Sequence, residues 1–123
     1  MDIHAHLLLL TFAFVVLDFV SGVAKGVKAE GRISSKKMRE GLFHKGAYGL
    51  AIALAYIIEA AMTVVDLGIE IPIVMSICVY IILTEITSVL ENIAELNPDL
   101  ANNGFMGLFH SSKLEQQQVE THE

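Results

Sequence analysis

Three carboxylates stand inside long apolar stretches of this chain: Asp18 in AHLLLLTFAFVVLDFVSGVA (5–24), Glu59 in GAYGLAIALAYIIEAAMTVV (46–65) and Glu85 in IPIVMSICVYIILTEITSVL (71–90). A charge at the centre of a bilayer costs at least about 2.5–3.5 kcal/mol on insertion scales, so an acid kept in such a segment signals function. Read as a helix, the third stretch gathers a polar stripe around Glu85. Ser88 and Asn92 follow at i+3 and i+7, Glu91 stands beside Asn92 at the exit, and Ser76, Tyr80 and Thr84 run alongside at four-residue steps. In lipid such a stripe must face another helix or water. Lys25 stands seven residues after Asp18 on nearly the same face, but about 10 Å along the axis, so it reaches Asp18 only by stretching back. Two acids at like depth cannot both ionise cheaply if adjacent, so of Asp18 and Glu85 at least one is expected to be protonated.

Small residues accompany the acids. Ala47, Ala51, Ala55 and Glu59 share a face at four-residue spacing, and Ser21 and Lys25 each directly precede a glycine of Gly22-x-x-x-Gly26. Small-xxx-small faces let helix backbones approach closely. The plainer reading of Ser76, Thr84 and the alanine face is glue within one protomer. Other chemistry finds little support. His4 and His6 point to different helix faces, and His44, His110 and His122 are scattered, so no metal site is expected. There is no phosphate-binding glycine loop, no redox motif and no nucleophile constellation, so neither an enzyme nor a cofactor is expected. The single Cys78 has no intramolecular partner and reads as small apolar filler.

The elements that must position these residues follow from composition. Of the 123 residues 54% are hydrophobic and 18% charged, below the roughly 25% charge usual for a soluble domain; mean hydropathy is +0.57. Each of the three windows matches the roughly 20 apolar residues a membrane-crossing helix needs, and none carries enough polar residues to wet the outside of a soluble bundle. The expected fold is an all-α membrane protein with three transmembrane helices. It divides into a first helix (1–27), a basic segment (28–45), a helical hairpin (46–92) and a polar tail (93–123). The first window is not a signal peptide by charge order, because Asp2 precedes it and no cation occurs before Lys25.

Seven of the eight Lys and Arg residues fall between Lys25 and Lys45. Wedged between apolar spans and without interleaved aromatics, the cluster reads as a membrane-side loop rather than a nucleic-acid surface. The positive-inside rule puts it in the cytoplasm, which makes the chain N-out and C-in, with DLGIE (66–70) and Pro72 as an outer turn. Within the loop Gly31 is a break, and Ser34 or Ser35 can cap a short helix in which Met38 and Leu42 sit four apart. Lys28, Arg32, Lys36, Lys37, Arg39 and Lys45 would then rest on anionic headgroups, each cation contributing about 1 kcal/mol; the alternative is a solvated loop. The last dozen residues, with QQQ, read as disordered, and GFMGLF (104–109) is either an interfacial patch or collapsed coil.

LDFVSGVAKG (17–26), ISSKKMREGLFHKGAYG (33–49), the acid-bearing second span ending VVDLG (64–68) and TEITSVLEN (84–92) together resemble the bacteriophage holin family that includes toxin-secretion holins. The resemblance covers roughly residues 14–95. It rests on D-x-x-S-G-x-x-K, the S-S…G…K loop and E-x-x-S-x-L-E-N in the same order. It implies a small multi-pass protein of the bacterial cytoplasmic membrane that accumulates, self-associates and opens lesions releasing an endolysin or toxin. The matching positions are Asp18, Ser21, Gly22 and Lys25, then Ser34, Ser35, Gly41 and Lys45, then Glu85, Ser88, Glu91 and Asn92. The tail departs from the pattern: Lys113 stands against Asp99, Glu115, Glu120 and Glu123 where the family suggests a more basic end.

On this reading Asp18, Ser21, Gly22, Lys25, Glu59, Thr84, Glu85, Ser88, Glu91 and Asn92 form a seam between protomers or a pore lining. The expected partners are further copies of the chain, anionic lipid and, without required contact, an endolysin; nucleic acid is not among them. Rival readings are a small ion or proton channel or pinholin-like pore, an antiholin, and a membrane adaptor using the basic loop and acidic tail.

Overall fold

The computed structural model describes residues 2–66 and 68–102. It contains three long helices, α1 (Ile3–Glu30), α2 (Ser35–Val64) and α3 (Ile73–Leu96), and a short α4 (Pro98–Asn102). All three long helices are long and apolar enough to cross a membrane. At 1.5 Å per residue they measure about 42, 45 and 36 Å, against a hydrocarbon core of about 30 Å. The expected three-helix architecture is thus present. GFMGLF, Lys113 and the polar end of the tail lie outside the described residues.

The helix ends are written locally. Asp2 accepts the His4 N–H at 3.1 Å and starts α1. Gly31, at φ 77°, closes it by donating to the Val27 carbonyl, a left-handed conformation that costs glycine nothing. Ser34 then caps α2 by accepting the Lys37 N–H. With that cap in place nothing in the next residues stops the helix, so the basic segment forms the first turns of α2. It is not a separate interfacial element, and α2 begins eleven residues earlier than the apolar window. Glu30 and Lys37 close the turn between α1 and α2 with an exposed 2.8 Å ion pair.

α3 is the spine. Its buried residues Val74, Cys78, Ile81, Glu85, Val89 and Asn92 recur at steps of three or four, a single stripe along one side. α1 packs along most of this stripe, α2 along part of it, and α1 and α2 barely touch each other. Leu7 and Leu8 of α1 pack with Val74 and Cys78 at the start of α3, while Lys28 near the end of α1 reaches the end of α3. The two helices therefore run parallel, and α2 runs against both. The apolar knot of Ala55, Val74 and Cys78 marks the far end, where the small side chain of Ala55 lets α2 approach α3.

The molecule is arranged inside out relative to a soluble bundle. Beside its apolar interior, the buried set includes Thr11, Ser21, Glu85 and Asn92, while Leu10, Phe12, Val20, Leu54, Ile57 and Leu83 are exposed. This is the distribution for a protein whose solvent is lipid.

Ala55 is fully buried and Ala47, two turns earlier, is exposed. Ala55→Leu is expected to cost about 1–3 kcal/mol by overpacking the α2–α3 contact. Ala47→Leu should stay within about 0.5 kcal/mol of the parent. Unfolding in detergent micelles, followed by circular dichroism, compares the two; equal stability would remove Ala55 from the packing argument.

Candidate functional site

Asp18, Lys45 and Glu85 come from three different helices, each about a dozen residues from its end at the Gly31 side of the bundle, or about 18 Å of helix. The Lys45 ammonium lies between the two acids, donating to Asp18 Oδ2 at 2.6 Å and to Glu85 Oε2 at 2.8 Å. The side chains are 12%, 14% and 3% exposed for Asp18, Lys45 and Glu85, so water screens these pairs little. Asn92, one helical stripe along from Glu85, donates to Ser21 Oγ at 2.9 Å and to Asp18 Oδ1 at 3.1 Å, with a longer contact to the Asp18 carbonyl. Ser21 in turn donates to that carbonyl at 3.1 Å. The result is one connected network, and among the described residues no buried side-chain nitrogen or oxygen lacks a partner. A half-satisfied polar network in a low-dielectric interior would be worse than none.

A cleft of about 250 Å³ opens beside the network, lined by Asp18, Gly22, Gly26, Lys45, Ser88 and Asn92 among others. A Cβ at Gly22 would stand 3.7 Å from Asn92 Nδ2, an ordinary contact, so Gly22 faces Asn92 without being required there. Gly26 has open space around it, so only one glycine of Gly22-x-x-x-Gly26 faces a neighbour.

The remaining chemistry-bearing residues lie elsewhere. Lys25 does not stretch back to Asp18; it pairs with Glu95 at 3.8 Å. Lys28 donates to the Glu95 and Leu96 carbonyls, placing a cation on the unpaired carbonyls at the end of α3. Glu59 sits at the opposite end of the bundle and accepts the Val74 N–H at 3.1 Å. It supplies the cap that Pro72 cannot give to α3. The stripe on α3 divides in two. Glu85 and Asn92 face inward. Tyr80 and Ser76 face outward, and the hydroxyls of Ser76 and Thr84 are satisfied by carbonyls four residues back. Glu91, Arg32, Lys36, Lys37 and Arg39 are exposed.

The bacteriophage holin family matches residues 3–102. The chain belongs to that family. No curated protein and no solved structure matches it. The family is a non-enzymatic, membrane kind of protein, and its match together with three helices of membrane-crossing length makes this chain a multi-pass membrane protein.

In this holin-family protein the D-x-x-S-G element and the E-x-x-S-x-L-E-N exit are brought together, because Asp18 and Ser21 meet Asn92, and Lys45 bridges Asp18 to Glu85. Sequence reasoning grouped Lys45 with the surface cations and expected at least one of the two acids to be protonated. The structure supplies a cation instead. A signal existed: counted from the turn at residues 31–34, Asp18 and Lys45 lie at nearly equal distances on the two antiparallel arms, hence at one depth.

Lys45→Met, which leaves two buried acids without a counter-charge, is expected to destabilise the protein by about 3 kcal/mol at neutral pH. A triple variant Asp18→Asn, Lys45→Met, Glu85→Gln should recover most of that loss. Denaturant titration in micelles tests the pair; if Lys45→Met alone matches the parent, the bridge contributes nothing.

Proposed function

We propose that this holin-family protein accumulates in the bacterial cytoplasmic membrane with its N-terminus outside and its C-terminus inside. It then self-associates and opens lesions that release an endolysin, or a toxin, from the cytoplasm. The observation that carries this reading is the enclosure of Asp18, Lys45, Glu85 and Asn92 within a protomer whose outer face is apolar. While the protein accumulates, these groups satisfy one another and the exterior matches lipid. When an assembly opens, they exchange internal partners for water and for neighbouring protomers. A protomer of three helices cannot surround a protein-sized hole, so passage of a folded enzyme requires many copies. The endolysin needs no direct contact with it.

The same network offers a handle for triggering. Moving one elementary charge through the membrane field changes the energy by about 2.3 kcal/mol per 100 mV. The network holds three formal charges, so loss of the membrane potential alters the balance between enclosed and opened arrangements. Ser88, Thr84 and Glu91 extend the polar surface that becomes available.

Induced expression beside a cytoplasmic endolysin without a signal sequence tests the reading, with turbidity and membrane potential followed together. Abrupt clearing after a delay is expected. Depolarisation without clearing would overturn protein-sized lesions in favour of a small channel, and neither effect, with insertion confirmed, would point to an antiholin or adaptor. At equal membrane levels Asp18→Asn and Glu85→Gln are expected to shift the time of clearing; unchanged timing in both would remove the network from the mechanism.

A further inference from the structure

α2 carries an exposed face that the charge network and the α3 contact leave unused. Lys36, Arg39, Phe43, Gly46 and Leu50 follow one another at steps of three and four, so they share one side of the helix. Along that side runs a groove of about 470 Å³ lined by Arg39, Leu42, Phe43, Gly46, Ala47 and Leu50. Phe43 and Leu50 are each 74% exposed and form its two walls. Gly46 is the floor: nothing lies within 4 Å of where its Cβ would stand.

The cations around the groove differ from most of their neighbours in sequence, Arg32 alone being likewise without an ion pair among the described residues. Lys25 pairs with Glu95, Lys37 with Glu30 and Lys45 with Asp18 and Glu85, while Lys28 serves the end of α3. Among the described residues, Lys36 and Arg39 make no ion pair and no side-chain hydrogen bond. Both stand at the end of the groove nearest the start of α2, which is the basic end of the bundle. A guanidinium presents a planar fork of donors suited to phosphate oxygens. From Arg39 to Leu50 the helix extends about 16 Å, and half of a hydrocarbon core about 30 Å thick is the depth of one leaflet. An anionic head above and an acyl chain below fit that order of charge and apolar surface.

We propose that this face binds one anionic phospholipid per protomer, its phosphate held by Arg39 and Lys36 and one acyl chain lying over Gly46 between Phe43 and Leu50. The site is a stoichiometric one, distinct from the diffuse attraction of a basic segment for a charged surface. It requires membrane insertion but not lesion opening, so it stands or falls separately from the lytic reading.

The test is native mass spectrometry of the full chain in non-ionic detergent, titrated with phosphatidylglycerol or with phosphatidylcholine of the same acyl chains. One phosphatidylglycerol per protomer is expected, with phosphatidylcholine held at least about fivefold more weakly. Arg39→Gln and Gly46→Leu should each lower phosphatidylglycerol affinity by about fivefold or more. Arg32→Gln removes the same charge from a residue that lines the other cleft, and its effect should stay within about twofold. Gly46→Leu puts a better helix former at an exposed helical position, and circular dichroism checks that the variant is folded. Equal weakening by Arg32→Gln and Arg39→Gln would overturn the site in favour of diffuse charge. Unchanged binding in Gly46→Leu would overturn it, and a changed oligomer size with lipid retention intact would assign the groove to a second copy of the chain.

Discussion

The ammonium of Lys45 between the carboxylates of Asp18 and Glu85 is the interaction on which the rest of the arrangement depends. Each of the three helices contributes one charge, and withdrawing the single cation leaves both acids uncompensated in a poorly screened interior. This couples the sliding and rotation of all three helices to a single point. α1 and α2 have little direct contact, so their mutual register is held through α3 and through this bridge. Apolar packing alone would leave that register loose, because one apolar contact among lipid tails is much like another. Directional hydrogen bonds from Asn92 to Ser21 and Asp18 narrow it further.

The two ends of the bundle are finished by different means. At the basic end the chain spends side chains on the termini of its own helices: Lys28 on the carbonyls of α3, Lys25 on Glu95, and Lys37 on Glu30 across the Gly31 turn. At the opposite end Glu59, the acid within the α2 span, takes the Val74 N–H and serves as a cap. It is remote from the network and has a local structural task. The polar residues of the spans therefore fall into three kinds: those that cap, those whose hydroxyls return to their own backbone, and those that bridge helices. In the proposed cycle the third kind matters, because only bridging groups must find new partners when helices separate.

A protomer built this way is stable for the reason that makes it convertible. Its exterior is compatible with lipid, and the part of its interior formed by Asp18, Lys45, Glu85 and Asn92 with water. Relocating helices there exchanges one satisfied polar arrangement for another, while the apolar knot of Ala55, Val74 and Cys78 lies at the far end. That logic fits accumulation without damage followed by abrupt opening, the behaviour proposed for this member of the bacteriophage holin family. The basic end, with its exposed cations beside an apolar groove on α2, adds a place where lipid composition can act on the same helix that carries Lys45.

Much of this was legible in the residues themselves. Spans, the break at Gly31, the cap at Ser34 and the weight of Asp18 and Glu85 follow from local rules: apolar length, left-handed glycine, a hydroxyl before a helix and the cost of a carboxylate in hydrocarbon. The merging of the basic segment into α2 was hidden only because apolar windows mark what lipid covers, while a helix continues until something stops it. What tertiary structure alone decided is which faces meet. Helical spacing placed Ser76, Tyr80 and Thr84 beside Glu85, yet rotation of α3 against α1 turned Ser76 and Tyr80 outward, left Thr84 half-buried and turned Glu85 inward. Spacing also set Lys25 near Asp18 and Lys45 among surface cations, and the antiparallel return of α2 reversed those roles. Intrahelical position is a local property of sequence; the pairing of a lysine with acids on two other helices depends on how three rods are rotated and aligned, and no single rod contains that information.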